Sequence, residues 1–390
     1  MTYQFKNLVF EGGGVKGAAY VGAMQALHDS KILDNIERIC GTSAGAITAV
    51  LIGLGFSVEE AEIILLGENS PAEVDYKPER TWRQWATEQA SWAFEQAQAF
   101  WDEDDDDDSL RVDFNKFWDD DVGYVRDSIR MLTGLGWCRG DYFHKWISKM
   151  IALKTGDPKA TFQDIEEMKS DPKNNFKSIY LTGTNLSTSL LEIFSFEHSP
   201  HVSIATAARI SMSIPLVFRP VLLKRTDKDG NPTGDTDYFV DGGVLDNYPI
   251  RLFDEARYTK TGIETAEYDQ ANAAVAKSSH PQKRYVYNQE TLGFRLDDEQ
   301  EIAVLKDHSH PTRYPIDGPN SYLSAFYNVL SNAQNYTHLN SRDRDRTIYL
   351  DTLGVGAIDF DISDDKEFAL AIKAKKITSN YLQQYADRAQ

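Results

Sequence analysis

A serine lies between two glycines at a point where the sequence predicts that a strand turns into a helix. The segment Gly41-Thr42-Ser43-Ala44-Gly45 matches the pattern G-x-S-x-G, with the predicted strand Ile36–Cys40 before it and the apolar predicted helix Ala46–Leu54 after it. A turn of this kind exposes a serine Oγ at the end of a sheet and directs helical N–H groups towards it. The pattern therefore predicts that Ser43 is a nucleophile, although a serine here could instead be an ordinary helix N-cap.

A glycine-rich turn follows the preceding predicted strand, Leu8–Phe10. The run Glu11-Gly12-Gly13-Gly14-Val15-Lys16-Gly17 contains the G-x-G-x-x-G spacing and leads into a helical pattern. Because glycine has no Cβ, the N–H groups of Gly12, Gly13 and Gly14 could approach a reacting oxygen and form an oxyanion hole. Two other interpretations remain open at this point, namely a dinucleotide-binding turn and a plain strand-to-helix connection.

A serine nucleophile needs a base, and the sequence offers a carboxylate in a suitable turn. Asp241 follows the apolar strand Tyr238–Val240 and precedes Gly242 and Gly243. The eight histidines do not fall at strand ends with glycine turns, so no histidine is predicted to be essential. Asp241 is therefore the predicted base, and an ordinary Asp-Gly turn is the alternative.

The elements that position these motifs alternate between strands and helices. Strand, glycine turn and helix occur twice between residues 8 and 54, a βαβα pattern typical of a parallel sheet covered by helices. In such a sheet both glycine turns lie at the same edge, where ligand sites collect. The further predicted elements are strands at Ser178–Gly183, Leu191–Phe196 and Arg346–Asp351, a hairpin at Val221–Tyr238 with its turn at Asp229–Pro232, and a closing helix at Lys366–Tyr385.

Composition and charge restrict the classes of protein and partner. The 390 residues are 41% hydrophobic, which suffices for a core without metal or disulfide support. The net charge of -19 would repel nucleic-acid phosphates, so a general nucleic-acid-binding function is excluded. The two cysteines, Cys40 and Cys138, favour a reducing compartment, and the sequence contains neither a signal-peptide pattern nor a transmembrane run. These features predict a cytoplasmic protein, with export by a specialised system left open.

The segment from about residue 67 to residue 150 differs in composition from the rest of the chain. It contains all seven tryptophans and an acidic run at residues 102–108. We expect a helical insertion beside the α/β core, which either packs on that core or forms a lid or acyl-chain wall over Ser43. The acidic run is expected to be a solvated loop, with calcium binding as the alternative. Residues 1–390 are predicted to form one domain that contains this insertion.

The three motifs together resemble those of the patatin-like phospholipases. That family has a G-G-G-x-[KR]-G oxyanion loop, a G-x-S-x-G nucleophile elbow and a D-G-[GA] turn whose aspartate completes a Ser-Asp dyad, and the three occur here in the same order. A fourth stretch, Ala208–Pro215, is similar to the family's A-x-x-S-x-S-[IF]-P segment. The resemblance covers residues 6–55 and 178–250, with a fainter match at Thr291-Leu292-Gly293. Glu11 stands where many members have aspartate, a difference that is not expected to matter.

The resemblance implies a three-layer α/β/α fold with a mostly parallel central sheet. It also implies a serine hydrolase that cleaves phospholipids or other lipid esters with Ser43 and Asp241 and needs no cofactor or metal. The residues implied to support the motifs are Lys16, Gly17, Gly41, Gly45, Gly242 and Gly243. Transient contact with a membrane surface and a protein activator are further expectations. Two alternatives stay open: a dinucleotide-binding oxidoreductase and an inactive lipid-binding module.

Overall fold

A computed structural model gives the architecture of the chain. It describes residues 3–66, 135–171, 173–227, 230–278, 283–298, 342–357, 359 and 362–388, together with the isolated positions 316, 325–326 and 329. The strands are β1 Asn7–Phe10, β2 Arg38–Gly41, β3 Gly136–Cys138, β4 Ser178–Asn185, β5 Leu190–Phe194, β6 Leu216–Phe218, β7 Val221–Thr226, β8 Pro232–Asp241, β9 Thr291–Asp297 and β10 Thr347–Asp351. The α-helices are α1 Ala19–Asp29, α2 Ala44–Gly53, α3 Val58–Leu66, α4 Asp141–Thr155, α5 Phe162–Met168, α6 Ile204–Ser211, α7 Asp269–Val275 and α8 Asp364–Arg388.

Most of these strands form one mixed sheet. Its order is β10-β9-β1-β2-β4-β8-β7, and β5 pairs with β4 as well. The five strands from β10 to β4 are parallel, whereas β5 and β8 run antiparallel to β4, and β7 runs antiparallel to β8. The predicted hairpin is therefore confirmed as β7 and β8 at the edge of the sheet. Because β1, β2 and β4 are parallel, the turns that follow β1 and β2 lie at the same end.

The central strands are buried on both faces. Strand alternation places Leu8 and Phe10 against one hydrophobic cluster and Val9 against a second. The first cluster contains the apolar sides of α1, α2 and α8, and the second is formed with the 3-10 helices Ile250–Phe253 and Ala256–Tyr258. Helical segments thus cover both faces, which confirms the predicted three-layer α/β/α fold with its mostly parallel central sheet.

The predicted insertion at residues 67–150 is described only at its C-terminal end. Residues 67–134, including the acidic run at 102–108, lie outside the described residues. The described end is not purely helical as predicted, because β3 pairs in parallel with β6. Helix α4 then buries Phe143, Trp146, Ile147 and Met150 in the main hydrophobic cluster. This end of the segment is therefore part of the core, and the single-domain division stays a prediction.

A buried ion-pair network joins the segment that follows β8 to the C-terminal strands. The Arg346 guanidinium donates to both oxygens of Asp254, at 2.5 and 2.7 Å, and to Asp343 Oδ1 at 2.6 Å. All three side chains are at most 3% exposed. The two carboxylates raise the pKa of Arg346, which stays charged. Arg346 thereby fastens the start of β10 to the segment that covers the second face of the sheet.

Replacing Arg346 with methionine should destabilise the protein strongly. The substitution keeps an aliphatic stem but leaves the buried Asp254 carboxylate without its cation, while Asp343 keeps only Arg251, and breaking a buried ion pair typically costs about 3–5 kcal/mol. Urea denaturation measures the loss. The matched control is Arg284→Met, whose guanidinium pairs with Glu264 at the surface and should matter by less than about 1 kcal/mol. Equal losses in the two variants would contradict this role.

Candidate active site

The backbone of Ser43 is strained in the way that a nucleophile elbow requires. Ser43 has φ 51° and ψ -120°, a conformation that costs energy in a residue with a Cβ, and it lies directly before α2. The two glycines of the motif permit the sharp turn. A Cβ on Gly41 would lie 2.0 Å from the carbonyl oxygen of Gly45, and a Cβ on Gly45 would lie 2.4 Å from the carbonyl oxygen of Phe10. Larger residues at either position would force the elbow open.

Strand β4 aligns the serine with the aspartate. Gly41, at the end of β2, pairs with Leu181, and Asp241, at the end of β8, pairs with Gly183 two residues further along β4. Since β5 pairs with β4 over the same residues, β2 and β8 must share the opposite edge of β4. Two strands of opposite direction therefore end close together on one edge, with Ser43 and Asp241 at their ends.

Asp241 is a buried carboxyl with one oxygen committed and the other available. Its Oδ1 accepts a hydrogen bond from Gly243 N at 2.7 Å, whereas Oδ2 is buried and has no hydrogen-bond partner within the described residues. Burial raises its pKa to about 7, against the lowering effects of the Gly243 N–H and of the Ser43 hydroxyl, which lies close to the carboxyl but makes no hydrogen bond of standard geometry with it. A carboxylate with this pKa and an unused oxygen beside a serine is suited to accept a proton near neutral pH.

The stretch Ala208–Pro215 touches both members of the pair. The backbone N–H of Ser43 donates to Ser211 Oγ at 3.0 Å, and the backbone N–H of Asp241 donates to the Ser213 carbonyl at 2.9 Å. Ser213 is in turn held by Arg209, which is buried and also donates to two backbone carbonyls. One helix end therefore fixes the backbone of serine and aspartate together.

The glycine loop packs against the elbow. A Cβ on Gly12 would lie 3.0 Å from Ser43 Cβ, and a Cβ on Gly17 would lie 2.9 Å from Ala44 Cβ. Gly14 has φ +54°, and a Cβ there would lie 1.8 Å from the carbonyl oxygen of Ala357. Close approach therefore requires glycine at all three positions, and the positive φ requires it at Gly14 as well. Lys16 follows in the same loop, and its N–H donates to the Gly13 carbonyl at 3.1 Å.

The backbone N–H groups of this loop differ in what they donate to. The Gly12 N–H donates to the Asn247 carbonyl at 3.0 Å, and the Val15 N–H donates to the Ala357 carbonyl at 3.1 Å. Between them, the N–H groups of Gly13 and Gly14 have no acceptor among the described residues. The predicted contribution of Gly12 is thus changed, because its N–H is occupied and only its lack of a Cβ serves the site.

Several residues around the loop were not identified from the sequence. Glu11 was not expected to matter, yet it is buried, and its Oε2 accepts the Leu296 N–H at 2.7 Å. Burial raises the pKa of Glu11 to about 7, while Arg295 opposes the rise. Asn247, six residues after Asp241, contacts both Glu11 and Gly12. Its only sequence signal was its place in the Asn-Tyr-Pro turn that follows the aspartate motif.

The described histidines lie away from this pair. His198 Nδ1 is 2.8 Å from Ser195 Oγ, and His144 lies on α4, where its carbonyl accepts from Ser148. Neither these two nor His28 and His201 forms a hydrogen bond with Ser43 or Asp241. Histidines 280, 308, 310 and 338 lie outside the described residues. The prediction that no histidine is essential stays a prediction.

Comparison with known proteins gives a family match. A family model described as patatin-like phospholipase matches residues 8–254. The Bacillus subtilis (strain 168) protein YqhO is 26% identical over 386 residues, which are 97% of this chain and 98% of that protein. The probable lipid hydrolase 463L of Invertebrate iridescent virus 6 is 21% identical over 248 residues, 64% of this chain and 63% of that protein. Among solved structures, VipD from Legionella pneumophila aligns with a TM-score of 0.48 and 16% identity over 98% of this chain and 67% of that one.

Within the ranges given above, no helix is both long enough and apolar enough to cross a membrane.

Replacing Asp241 with asparagine should stabilise the fold more at high pH than at low pH. The folded state raises the pKa of this carboxyl from 3.8 to about 7, so folding favours the protonated form. That advantage is complete below about pH 4 and is lost as the pH rises to about 7, with a slope of about 1.4 kcal/mol per pH unit. Urea denaturation of wild type and Asp241→Asn between pH 4 and pH 8 measures the difference. A difference that does not change with pH would contradict the raised pKa.

Proposed function

The chain belongs to the patatin-like phospholipase family, and on that premise we propose that it is a lipid acyl-ester hydrolase with Ser43 as nucleophile and Asp241 as base. The family, together with the lipid-hydrolase name of one relative, supports lipid hydrolysis as the activity. The observation that carries the assignment of residues is the unused Oδ2 of Asp241, which lies beside a strained serine at the end of the shared β4 edge.

The first step in this proposal is attack on the ester carbonyl. Ser43 Oγ forms the new bond to the carbonyl carbon, and its proton passes to Asp241 Oδ2. A carboxylate with an ordinary pKa is a poor acceptor for a hydroxyl proton, and burial corrects this by raising the pKa of Asp241 towards 7. The Gly243 N–H holds Oδ1, so the second oxygen stays directed to the reaction.

The carbonyl oxygen becomes negatively charged as the bond forms. The N–H groups of Gly13 and Gly14 are the donors we assign to this oxyanion, since both lack an acceptor among the described residues. They lie at the start of a helical turn, Gly14–Ala18, whose dipole adds positive potential. Gly12 lets the loop approach Ser43 closely. Preorganised donors of this kind are usually the largest single contribution to acyl transfer.

The tetrahedral intermediate then collapses in the forward direction. The bond from carbon to the alcohol oxygen breaks, and Asp241 returns its proton to the departing alcohol, which leaves Ser43 acylated. Water attacks the acyl-enzyme, Asp241 accepts a proton from that water, and the fatty acid leaves as Ser43 Oγ regains a proton. No third side chain is required for the proton transfers, because a single carboxyl alternates between its two states.

The proposed partners of the protein are a lipid substrate, a membrane surface and a protein activator. A lipid substrate follows from the proposed activity, whereas membrane contact and a protein activator stay predictions. The alternative is an inactive lipid-binding module, and the first experiment below distinguishes it from an active hydrolase.

Ser43→Ala should fold normally and lose ester hydrolysis by roughly 10⁴-fold or more, because the covalent route is removed. Asp241→Asn should be nearly as damaging, since an amide cannot accept the proton. Hydrolysis of a chromogenic acyl ester and labelling by a fluorophosphonate measure the two effects. The matched control is Ser57→Ala, which removes an exposed serine at the start of α3 that accepts from the Glu60 N–H. Full activity or full labelling in Ser43→Ala would overturn the assignment.

The pH dependence of hydrolysis should follow the ionisation of Asp241. Only the deprotonated carboxyl can accept the serine proton, so kcat/KM should rise with pH, reach half its maximum near pH 7 and then level off. Steady-state rates between pH 5 and pH 9 measure the profile.

Burial also raises the pKa of Glu11 to about 7, so the titration of Glu11 must be distinguished from that of Asp241. The rise should therefore persist in Glu11→Gln, whatever the maximal rate of that variant. A profile that is flat in wild type, or a rise that disappears in Glu11→Gln, would contradict Asp241 as the titrating base.

A further inference from the structure

Asn247 forms hydrogen bonds with both the N–H and the carbonyl of Gly12, the first glycine in the loop. Its carbonyl oxygen accepts the Gly12 N–H at 3.0 Å, and its side-chain Nδ2 donates to the Gly12 carbonyl at 3.0 Å. Asn247 is 3% exposed. A Cβ on Gly12 would lie 2.3 Å from Asn247 Oδ1, so the side chain packs directly on that glycine. Asn247, in the turn after Asp241, therefore holds the glycine loop that faces Ser43 by hydrogen bonds and by packing.

Because the peptide bond is planar, the hydrogen bond to the Gly12 carbonyl also fixes the direction of the Gly13 N–H. In a trans peptide the carbonyl of one residue and the N–H of the next point in opposite directions, and no cis peptide occurs in the described residues. Because the Gly12 carbonyl points at Asn247 Nδ2, the Gly13 N–H must point away from Asn247. Rotation of this peptide by half a turn would bring the Gly13 N–H against the Nδ2 donor. Asn247 thus selects one orientation of the donor that the oxyanion needs.

A run of glycines needs such a restraint more than other sequences do. Glycine populates conformations that residues with a Cβ avoid, so a peptide between Gly12 and Gly13 can rotate at little steric cost. The same freedom that lets the loop approach Ser43 would also let its N–H groups turn away. A buried hydrogen bond to the Gly12 carbonyl counteracts that freedom.

Glu11 fixes the orientation of the Asn247 amide. Glu11 Oε1 lies 3.4 Å from the same Nδ2, so the amide nitrogen lies between two oxygens. The other oxygen of Glu11 accepts the Leu296 N–H from β9. Turning the amide over would place Oδ1 against both oxygens. The restraint on the loop is therefore anchored in the central sheet.

We propose that Asn247 is a positioning residue that holds the Gly12–Gly13 peptide in the orientation required for the oxyanion hole. This inference rests on the proposed function, since it assigns the device that keeps the Gly13 donor in place for the same reaction. Asn247 acts through the loop and does not itself touch the reacting atoms.

The test compares Asn247→Ala and Asn247→Asp with Asn288→Ala. Aspartate keeps the size of asparagine but replaces the donor with an acceptor. Asn288 is the matched control, because it is also buried and donates from Nδ2 to a backbone carbonyl, that of Phe253 at 2.7 Å, on the second face of the sheet. Two measurements are made, namely steady-state kinetics on an acyl ester and amide hydrogen exchange of residues 11–18 by mass spectrometry.

Both Asn247 variants should lower kcat by about 10²-fold with KM little changed, since a transition-state donor is misplaced. They should also speed exchange of the Gly12 amide, which is hydrogen-bonded to the Asn247 carbonyl, by about 10-fold, the equivalent of about one hydrogen bond. Asn288→Ala should change neither. Unchanged loop exchange in the Asn247 variants, or the same kinetic loss in Asn288→Ala, would overturn the proposal. If the wild-type protein hydrolyses no ester, the proposed function fails, and the exchange measurement alone still decides whether Asn247 holds the loop.

Discussion

The edge of β4 is shared by two strands that run in opposite directions, and the arrangement of the site depends on that sharing. β2 arrives from one end and stops at Gly41, while β8 arrives from the other and stops at Asp241. If β2 had continued along the whole edge of β4, β8 could not have paired with that edge. Because both strands end on neighbouring residues of β4, the turns that follow them converge. Close approach requires glycine at position 242, where a Cβ would lie 2.0 Å from Thr182 Oγ1. Thr182 lies at the junction, with its Oγ1 2.7 Å from Thr42 Oγ1.

Burying a carboxyl at this junction has a thermodynamic cost and a chemical benefit from the same cause. Loss of water around Asp241 disfavours its charged form, which lowers stability as the pH rises from about 4 to about 7 and makes the carboxylate a stronger base. Glu11, on the other side of the glycine loop, is buried in the same way, but Arg295 and the Leu296 N–H partly compensate it. Two buried carboxyls thus flank the site with different roles, since of these two only Asp241 has an oxygen without a hydrogen-bond partner among the described residues.

Much of the fold and the candidate site followed from short-range sequence signals. The strands β1, β2, β4 and β10 and helix α8 were predicted because each is an apolar or amphipathic run bounded by turn residues. β9 was missed because Arg295 and Asp297 look like surface residues, although they are buried and paired with each other at 2.6 Å. The contributions of Asn247 and Ala357 depend on contacts between segments far apart in the chain, which no local pattern records.

Within the glycine loop, too, the sequence could predict the motif but not the role of each residue. Its spacing suited an oxyanion hole, a dinucleotide site or a plain turn, and the proposed function rests on the first of these. Which N–H groups are available depends on Asn247 and Ala357, so the contribution of Gly12 could not be read from spacing.

The most direct test of the account is a crystal structure of the protein inhibited by a long-chain fluorophosphonate. The account predicts phosphorus bonded to Ser43 Oγ, a phosphonyl oxygen about 3 Å from the backbone nitrogens of Gly13 and Gly14, and the Asp241 carboxyl adjacent to Ser43 Oγ with no histidine between them. Phosphorus on another residue, or a phosphonyl oxygen directed away from the glycine loop, would contradict it.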